Sequence, residues 1–316
     1  MSPDRTDRLA APAKVNLTLA VAARRADGFH DLDSVLLRLD LADRLEVRMS
    51  GAPPSADSAA DGLTLTGPQP CPLPGNLVLR AAAVLRQHVG RPLPPLVFHL
   101  RKEVPVAAGL GGGSSDAAAA LRLAAGVWDV DLDQATLLEL AADLGSDVPF
   151  FALDAPAARA TGRGERLSRL PAPVGRLACL LAVAHEGLST AGVFEAFDRE
   201  ARPVDGAAQV SQRLAGALAR GLPAGQLVES AAELRDANDL WSTVARLRPD
   251  IVHVREDLEQ RSGRPWLLSG SGPTLFALYA SRAEAERALA HVGRSSDGVG
   301  GAVRLLVSGS PQGDTS

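Results

Sequence analysis

The chain has 316 residues, 46% of them hydrophobic and 22% charged, with a formal net charge of −4. This is ordinary for a globular protein and leaves room for two domains. The slight acidity, without any basic block, excludes a binder that works by neutralising nucleic-acid phosphates, and no apolar run is long enough to span a bilayer.

From Lys14 the chain alternates over residues 15–21, with Val15, Leu17, Leu19 and Val21 apolar, which predicts a half-buried strand. Asp27-Gly28 is a hairpin signal. Alternation returns through Val35, Leu37, Leu39 and Leu41, and again through Leu45 and Val47, so a β-meander is expected. Residues 50–75 are rich in Pro, Gly, Ala and Ser and read as a surface excursion with a short strand near 63–65. Gly75-Asn76 opens a helix that Gly90 and Pro92 stop, and residues 96–100 are strand-like and lead to Lys102.

Then comes Pro105-Val106-Ala107-Ala108-Gly109-Leu110-Gly111-Gly112-Gly113-Ser114-Ser115-Asp116, followed by an alanine-rich run that favours helix. Glycines let a backbone approach a ligand closely, and the helix N-terminus beyond them favours an anion. The simplest ligand is a phosphate chain. The pattern is not a Walker loop, because Gly113 is followed by Ser114 and not by lysine. It is not a Rossmann fingerprint either, since Gly109 and Gly111 lack the third glycine at the required spacing. A further helix is expected over 132–144. After it Asp147 is read in a turn before an apolar strand at 148–151, with Pro149 fixing the chain.

A break near 161–165 marks the expected domain boundary. The second half reads as strand, helices, β-hairpin, helix and strand, an antiparallel α+β arrangement. Its hairpin turn is Ser269-Gly270-Ser271-Gly272-Pro273. Two scarcities stand out. Of 33 basic residues only Lys14 and Lys102 are lysines, and only Asn16, Asn76 and Asn238 are asparagines. Where arginine has replaced lysine so widely, a remaining lysine is a candidate for work that needs a compact ammonium. Cys71 and Cys179 have no metal-ligand spacing, and the polar N-terminus does not read as a signal peptide, so a cytoplasmic protein without disulfides is expected.

The glycine loop resembles the central motif of the GHMP kinases. Within that superfamily the segments Ala13-Lys14-Val15-Asn16, Asp27-Gly28-Phe29-His30, Gly145-Ser146-Asp147 and Ser269-Gly270-Ser271-Gly272 together resemble the 4-diphosphocytidyl-2-C-methyl-D-erythritol kinases. The resemblance implies an α+β, two-domain fold with the active site in the cleft between the domains. An N-terminal ribosomal-protein-S5-domain-2-like, ATP-binding domain is placed at 1–163 and a C-terminal ferredoxin-like domain at 164–308, with a disordered tail at 309–316. It implies phosphorylation of the 2-hydroxyl of the diphosphocytidyl substrate with ATP and Mg²⁺, by a monomer or homodimer that takes no nucleic acid or membrane as partner.

By the same resemblance, Asp147 is the base and Lys14 its neighbour. Asn76, Lys102 and the run from Pro105 to Asp116 hold ATP, and Ser115 is the hydroxyl nearest the metal. Asn16, Phe29, His30, Gly187, Thr190 and Gly270 take the substrate, with His30 on the cytosine edge. Phe29 stands where the family usually has tyrosine, which keeps a ring for stacking and removes a phenol.

Overall fold

The computed structural model describes residues 6–53, 61–68, 71–200, 206–293 and 303–310. In chain order they begin with β1 (Asp7–Arg24), β2 (His30–Met49), β3 (Gly62–Thr66), α1 (Leu77–Val89), β4 (Leu96–Arg101), α2 (Gly112–Trp128), α3 (Gln134–Leu144) and α4 (Val148–Leu153). They continue with β5 (Ala157–Gly162), β6 (Arg166–Leu170), β7 (Ala178–Ala184), α5 (Thr190–Phe197) and α6 (Gly206–Ala219). The remainder is α7 (Ala224–Glu229), α8 (Ala231–Leu234), α9 (Trp241–Leu247), α10 (Pro249–Ser262), β8 (Leu267–Leu268), β9 (Leu275–Tyr279), α11 (Arg282–Val292) and β10 (Val303–Gly309). Of the excursion at 50–75, residues 54–60 and 69–70 lie outside the described residues, as do 311–316 of the tail.

Contacts divide the chain into two compact units. The first holds the described residues of Met1–Ala13, Leu41–Val106 and Gly111–Asp154, and the second those of Lys14–Asp40, Ala107–Leu110 and Ala155–Ser316. In the first unit, β4 pairs antiparallel with the end of β2, Leu45 opposite Leu100 and Val47 opposite Phe98, and parallel with β3. Its Leu96, Phe98 and Leu100 point inward while Val97, His99 and Arg101 face away, the period-two alternation of a half-buried strand. Helices cover the inner face. The alanine run Ala117–Ala120 of α2 is buried throughout, and its small side chains let α1 and α4 approach closely.

In the second unit, β7 lies between β10 and β9 in a four-stranded antiparallel sheet of order β10-β7-β9-β8. Every residue of β7 is buried, as a central strand covered on both faces requires. Its core gathers Leu19 and Val21 of β1 with Phe197, Leu240, Val244, Leu258 and Trp266. The start of β2 pairs here with β5, and β5 with β6, so the glycine-rich stretch at 163–165 is the turn of a hairpin.

Two local expectations are corrected. The separate segments at 35–41 and 45–47 are one continuous strand, β2. Asp43, which lies between them, stays in the strand with its buried carboxylate accepting the backbone N–H groups of Glu103 and Val104 at 2.6 and 2.8 Å. The expected strand after Asp147 is the helix α4. Its short apolar run gives no periodicity to distinguish strand from helix, and Pro149 sits in the first turn, where a missing N–H is harmless. Among the described residues no helix is long and apolar enough to cross a membrane.

Candidate active site

The glycine loop is shorter than its sequence suggests. Gly111, left-handed at φ 71°, is the N-cap of α2, so Gly112, Gly113, Ser114 and Ser115 form the first helical turn. Packing overrides propensity here. A Cβ on Gly112 would lie 2.9 Å from Val104 Cγ1 and 3.3 Å from Lys102 Nζ. Upstream, Ala107 (φ 53°) and Gly109 (φ 75°) are also left-handed. Left-handed residues at every second position give the curled backbone that turns N–H groups toward an anion. Among the described residues the buried Ser115 Oγ and Asp116 Oδ1 have no hydrogen-bond partner.

In the second unit, the residues 107–110 are clamped by other glycines. Ser269 Oγ donates to the Gly109 carbonyl at 2.9 Å, and the Lys14 backbone N–H donates to the Leu110 carbonyl at 2.9 Å. A Cβ on Gly109 would collide with the Ser269 carbonyl oxygen, and one on Gly187 would come within 2.6 Å of the Ala107 oxygen. Thr190, the first residue of α5, has its Oγ1 3.0 Å from Ser271 Oγ.

Lys14 and Asn16 point the same way from β1, two residues apart, as the pleat dictates. Lys14 Nζ donates to Asn16 Oδ1 at 2.6 Å, Asn16 Nδ2 donates to Ser34 Oγ at 2.8 Å, and Ser34 Oγ donates to the Thr18 carbonyl at 2.6 Å. Gly270, left-handed at φ 58°, closes on this pair: a Cβ there would stand 3.1 Å from Asn16 Oδ1 and 3.4 Å from Lys14 Nζ.

Lys102 belongs to a different network, in the first unit. Its Nζ donates to Asp43 Oδ2 and, at 2.7 Å, to Asp116 Oδ2. All three side chains are buried. Burial pulls the ammonium pKa down, but Asp116 and Asp43 outweigh it and the net shift is upward. Burial pushes Asp116 up to about 7, against the pull of Lys102 and with the repulsion of Asp43 behind it. Asn76 is the N-cap of α1, its Oδ1 accepting the Val78 N–H at 3.0 Å. Asp147 is half-buried at the N-cap of α4 and makes no side-chain bond to that helix's N–H groups.

The turn after β1 presents Phe29, 49% exposed, with the Arg163 guanidinium carbon 5.1 Å from its ring centroid. His30 is buried, and both its ring nitrogens are engaged. Nδ1 donates to the Ala22 carbonyl at 2.9 Å, and Nε2 lies 3.1 Å from Asp198 Oδ1. Phe194 and Phe197 of α5 pack on the ring, with centroids 5.4 and 6.0 Å away.

Three residues of the site carry no role that the sequence suggested: Asp43, Asp198 and Asn238, whose Nδ2 donates to the Gly270 carbonyl at 3.0 Å. Asp43 had a signal, an acidic residue inside an apolar alternation. Asn238 had one too, as one of three asparagines in the chain. Asp198 had none, because its partner is distant in sequence.

The model of the GHMP kinases N terminal domain matches residues 76–155, and that of the GHMP kinases C terminal domain matches residues 217–296. The 4-diphosphocytidyl-2-C-methyl-D-erythritol kinase of Streptomyces coelicolor is 40% identical over 291 residues, 90% of this chain and 91% of that one. The enzyme of the same name from Pelotomaculum thermopropionicum is 38% identical over 289 residues, 91% of this chain and 94% of its own. A crystal structure of 4-(cytidine 5'-diphospho)-2C-methyl-D-erythritol kinase superposes with a TM-score of 0.69 at 31% identity, covering 97% of this chain and all of that one (100%).

Proposed function

The chain belongs to the 4-diphosphocytidyl-2-C-methyl-D-erythritol kinases, within the GHMP kinases, and on that basis we propose how its own residues carry out the reaction. It is a small-molecule kinase that phosphorylates the 2-hydroxyl of 4-diphosphocytidyl-2-C-methyl-D-erythritol, in the methylerythritol phosphate route to isoprenoids. ATP is the donor. The substrate hydroxyl oxygen attacks the γ-phosphorus, the bond to the β–γ bridging oxygen breaks, ADP leaves, and the hydroxyl proton passes to Asp147.

The observation that carries this reading is the backbone at 107–111. Left-handed residues at 107, 109 and 111 lead directly into the N-terminus of α2, and such a backbone suits the phosphates of a nucleotide. Phosphoryl transfer asks little covalent chemistry of the protein; alignment and charge stabilisation do most of the work. Lys14 supplies an ammonium for the charge that develops on the transferring group, and the Asn16 carboxamide fixes where that ammonium sits. Phe29 offers an exposed ring for stacking on the cytosine. With both ring nitrogens of His30 engaged, a place for it on the cytosine edge requires the Nε2 contact with Asp198 to give way to the base.

Mg²⁺ fits the residues present. Ser115 Oγ is a buried hydroxyl without a partner among the described residues and is the side chain to reach the ion. Among the described residues no group of three or more His, Cys, Asp or Glu side chains forms a metal cage. Bound there, the ion neutralises charge on the β- and γ-phosphates.

Turnover tests the reading. ATP with the diphosphocytidyl substrate gives ADP, whereas ATP with mevalonate does not; equal turnover of mevalonate overturns the assignment. Asp147→Asn is expected to lower kcat by roughly 10²–10⁴-fold with ATP affinity little changed. Near-normal turnover in that variant removes Asp147 as the base.

A further inference from the structure

Asn238 lies between α8 and α9, buried at 6% exposure, and none of the roles above uses it. Its side chain is nonetheless fully committed. Nδ2 donates to the Leu268 carbonyl and to the Gly270 carbonyl, both at 3.0 Å, and Oδ1 accepts the Leu240 N–H at 3.0 Å. Its neighbours hold β1 from the other side. Leu19 N–H donates to the Ala237 carbonyl at 2.7 Å, Asp239 N–H donates to the Leu19 carbonyl at 2.9 Å, and Asp239 Oδ2 accepts the Val21 N–H at 2.9 Å. One short segment therefore grips two things: the strand that carries Lys14 and Asn16, and the glycine turn that closes on them.

The turn needs such a grip. Gly270 has no side chain of its own with which to anchor itself, and it approaches Asn16 and Lys14 as closely as a Cβ would barely permit. Its carbonyl is the handle through which its height above the pair can be set. The same turn sends Ser269 Oγ to the Gly109 carbonyl, so its position also bears on the left-handed loop.

We infer that Asn238 is a positioning residue for phosphoryl transfer, acting through the Gly270 carbonyl to set the 269–272 turn against Lys14 and Asn16. The inference rests on the roles given above to Lys14 and Gly270. Displacements of about 1 Å in such a setting lower rates by roughly 100-fold without abolishing binding.

Asn238→Asp isolates the function. It keeps an oxygen to accept the Leu240 N–H and replaces the double donor with an oxygen that faces two carbonyls. The chain's two lysines make a second, activity-independent readout simple: ¹³C-labelled lysine gives signals only from Lys14 and Lys102. The expected result is a kcat at pH 8 lowered by roughly 10–100-fold with the KM for ATP changed far less, and a Lys14 signal that moves while that of Lys102 stays. Lowering the pH protonates the new carboxyl, which then donates to one carbonyl, so the deficit in kcat shrinks on the acid side.

An unmoved Lys14 signal, equal shifts in both lysines, or a kcat like that of the parent overturns the inference. Should Asn238→Asp not fold, Asn238→Ser, which caps Leu240 but cannot span both carbonyls, carries the same readouts and is decided by the same outcomes. If the parent itself fails to turn over the diphosphocytidyl substrate, the functional reading has failed; the lysine signals still decide whether Asn238 positions Lys14.

Discussion

The network around Lys102 and the chain of hydrogen bonds that starts at Lys14 and Asn16 are built from different groups. Lys102 sits between the carboxylates of Asp43 and Asp116, all three buried, so its place is fixed by charge. One chain of contacts from Lys14 runs outward through neutral dipoles: the Asn16 carboxamide, the Ser34 hydroxyl and the Thr18 carbonyl. A charged network is strong, but it changes with protonation and leaves an uncompensated charge when one member goes. A neutral chain loses only one bond per deletion and is indifferent to pH over the range where proteins work. The first arrangement suits a lock on the start of α2, where Asp116 stands.

The largest expected effect breaks the charged side. Lys102→Met leaves Asp43 and Asp116 facing each other in a buried site, and unfolding stability should fall by about 3–5 kcal/mol in urea titration. A loss no larger than that of an exposed ion pair means that water or protonation relieves the site.

The second effect is a slope with pH. Asp116 is raised in the folded protein to about 7, from an ordinary carboxylate value of 3.8. Between those values the folded chain binds the proton more firmly than the unfolded chain, so stability falls as pH rises through that window. Urea midpoints of Asp116→Asn, measured at acid and neutral pH, should show a flatter dependence than those of the parent. An unchanged slope assigns the dependence to other groups.

The smallest effect lies on the neutral side. Ser34→Ala removes one link between Asn16 and Thr18, and stability should fall by only about 1–2 kcal/mol, with no change in its pH dependence. A loss as large as that of Lys102→Met erases the distinction between the two networks.

Much of the fold was readable along the chain. The strand β1, the Asn76 cap and Gly90 stop of α1, the Asp27-Gly28 turn and the glycine hairpin before β9 are local signals, read by local rules, although residues 15–21 of β1 are buried on both faces where the alternation predicted a half-buried strand. The misreadings are local as well. Asp43 lies within one strand where the alternation gave two segments, its carboxylate accepting the N–H groups of Glu103 and Val104. The run Val148–Leu153 is too short and too uniformly apolar to declare a period, and burial on all sides settled it as helix. Gly112 entered α2 where Val104 packs in the space a side chain would otherwise take.

Order along the chain was enough to establish that a glycine-rich backbone meets a helix start, that two lysines and three asparagines remain in a chain rich in arginine and alanine, and that the motifs resemble those of one kinase family. What those rare residues touch was settled only by tertiary folding. It caged Lys102 between two carboxylates, set Asn16 beside Lys14, gave both nitrogens of His30 to partners, and placed Asn238 under the carbonyl of Gly270. Local propensity follows from neighbouring residues, whereas the contacts that build the site join residues 160 positions apart for Gly109 and Ser269 and 218 apart for Val21 and Asp239, separations that no sequence window spans.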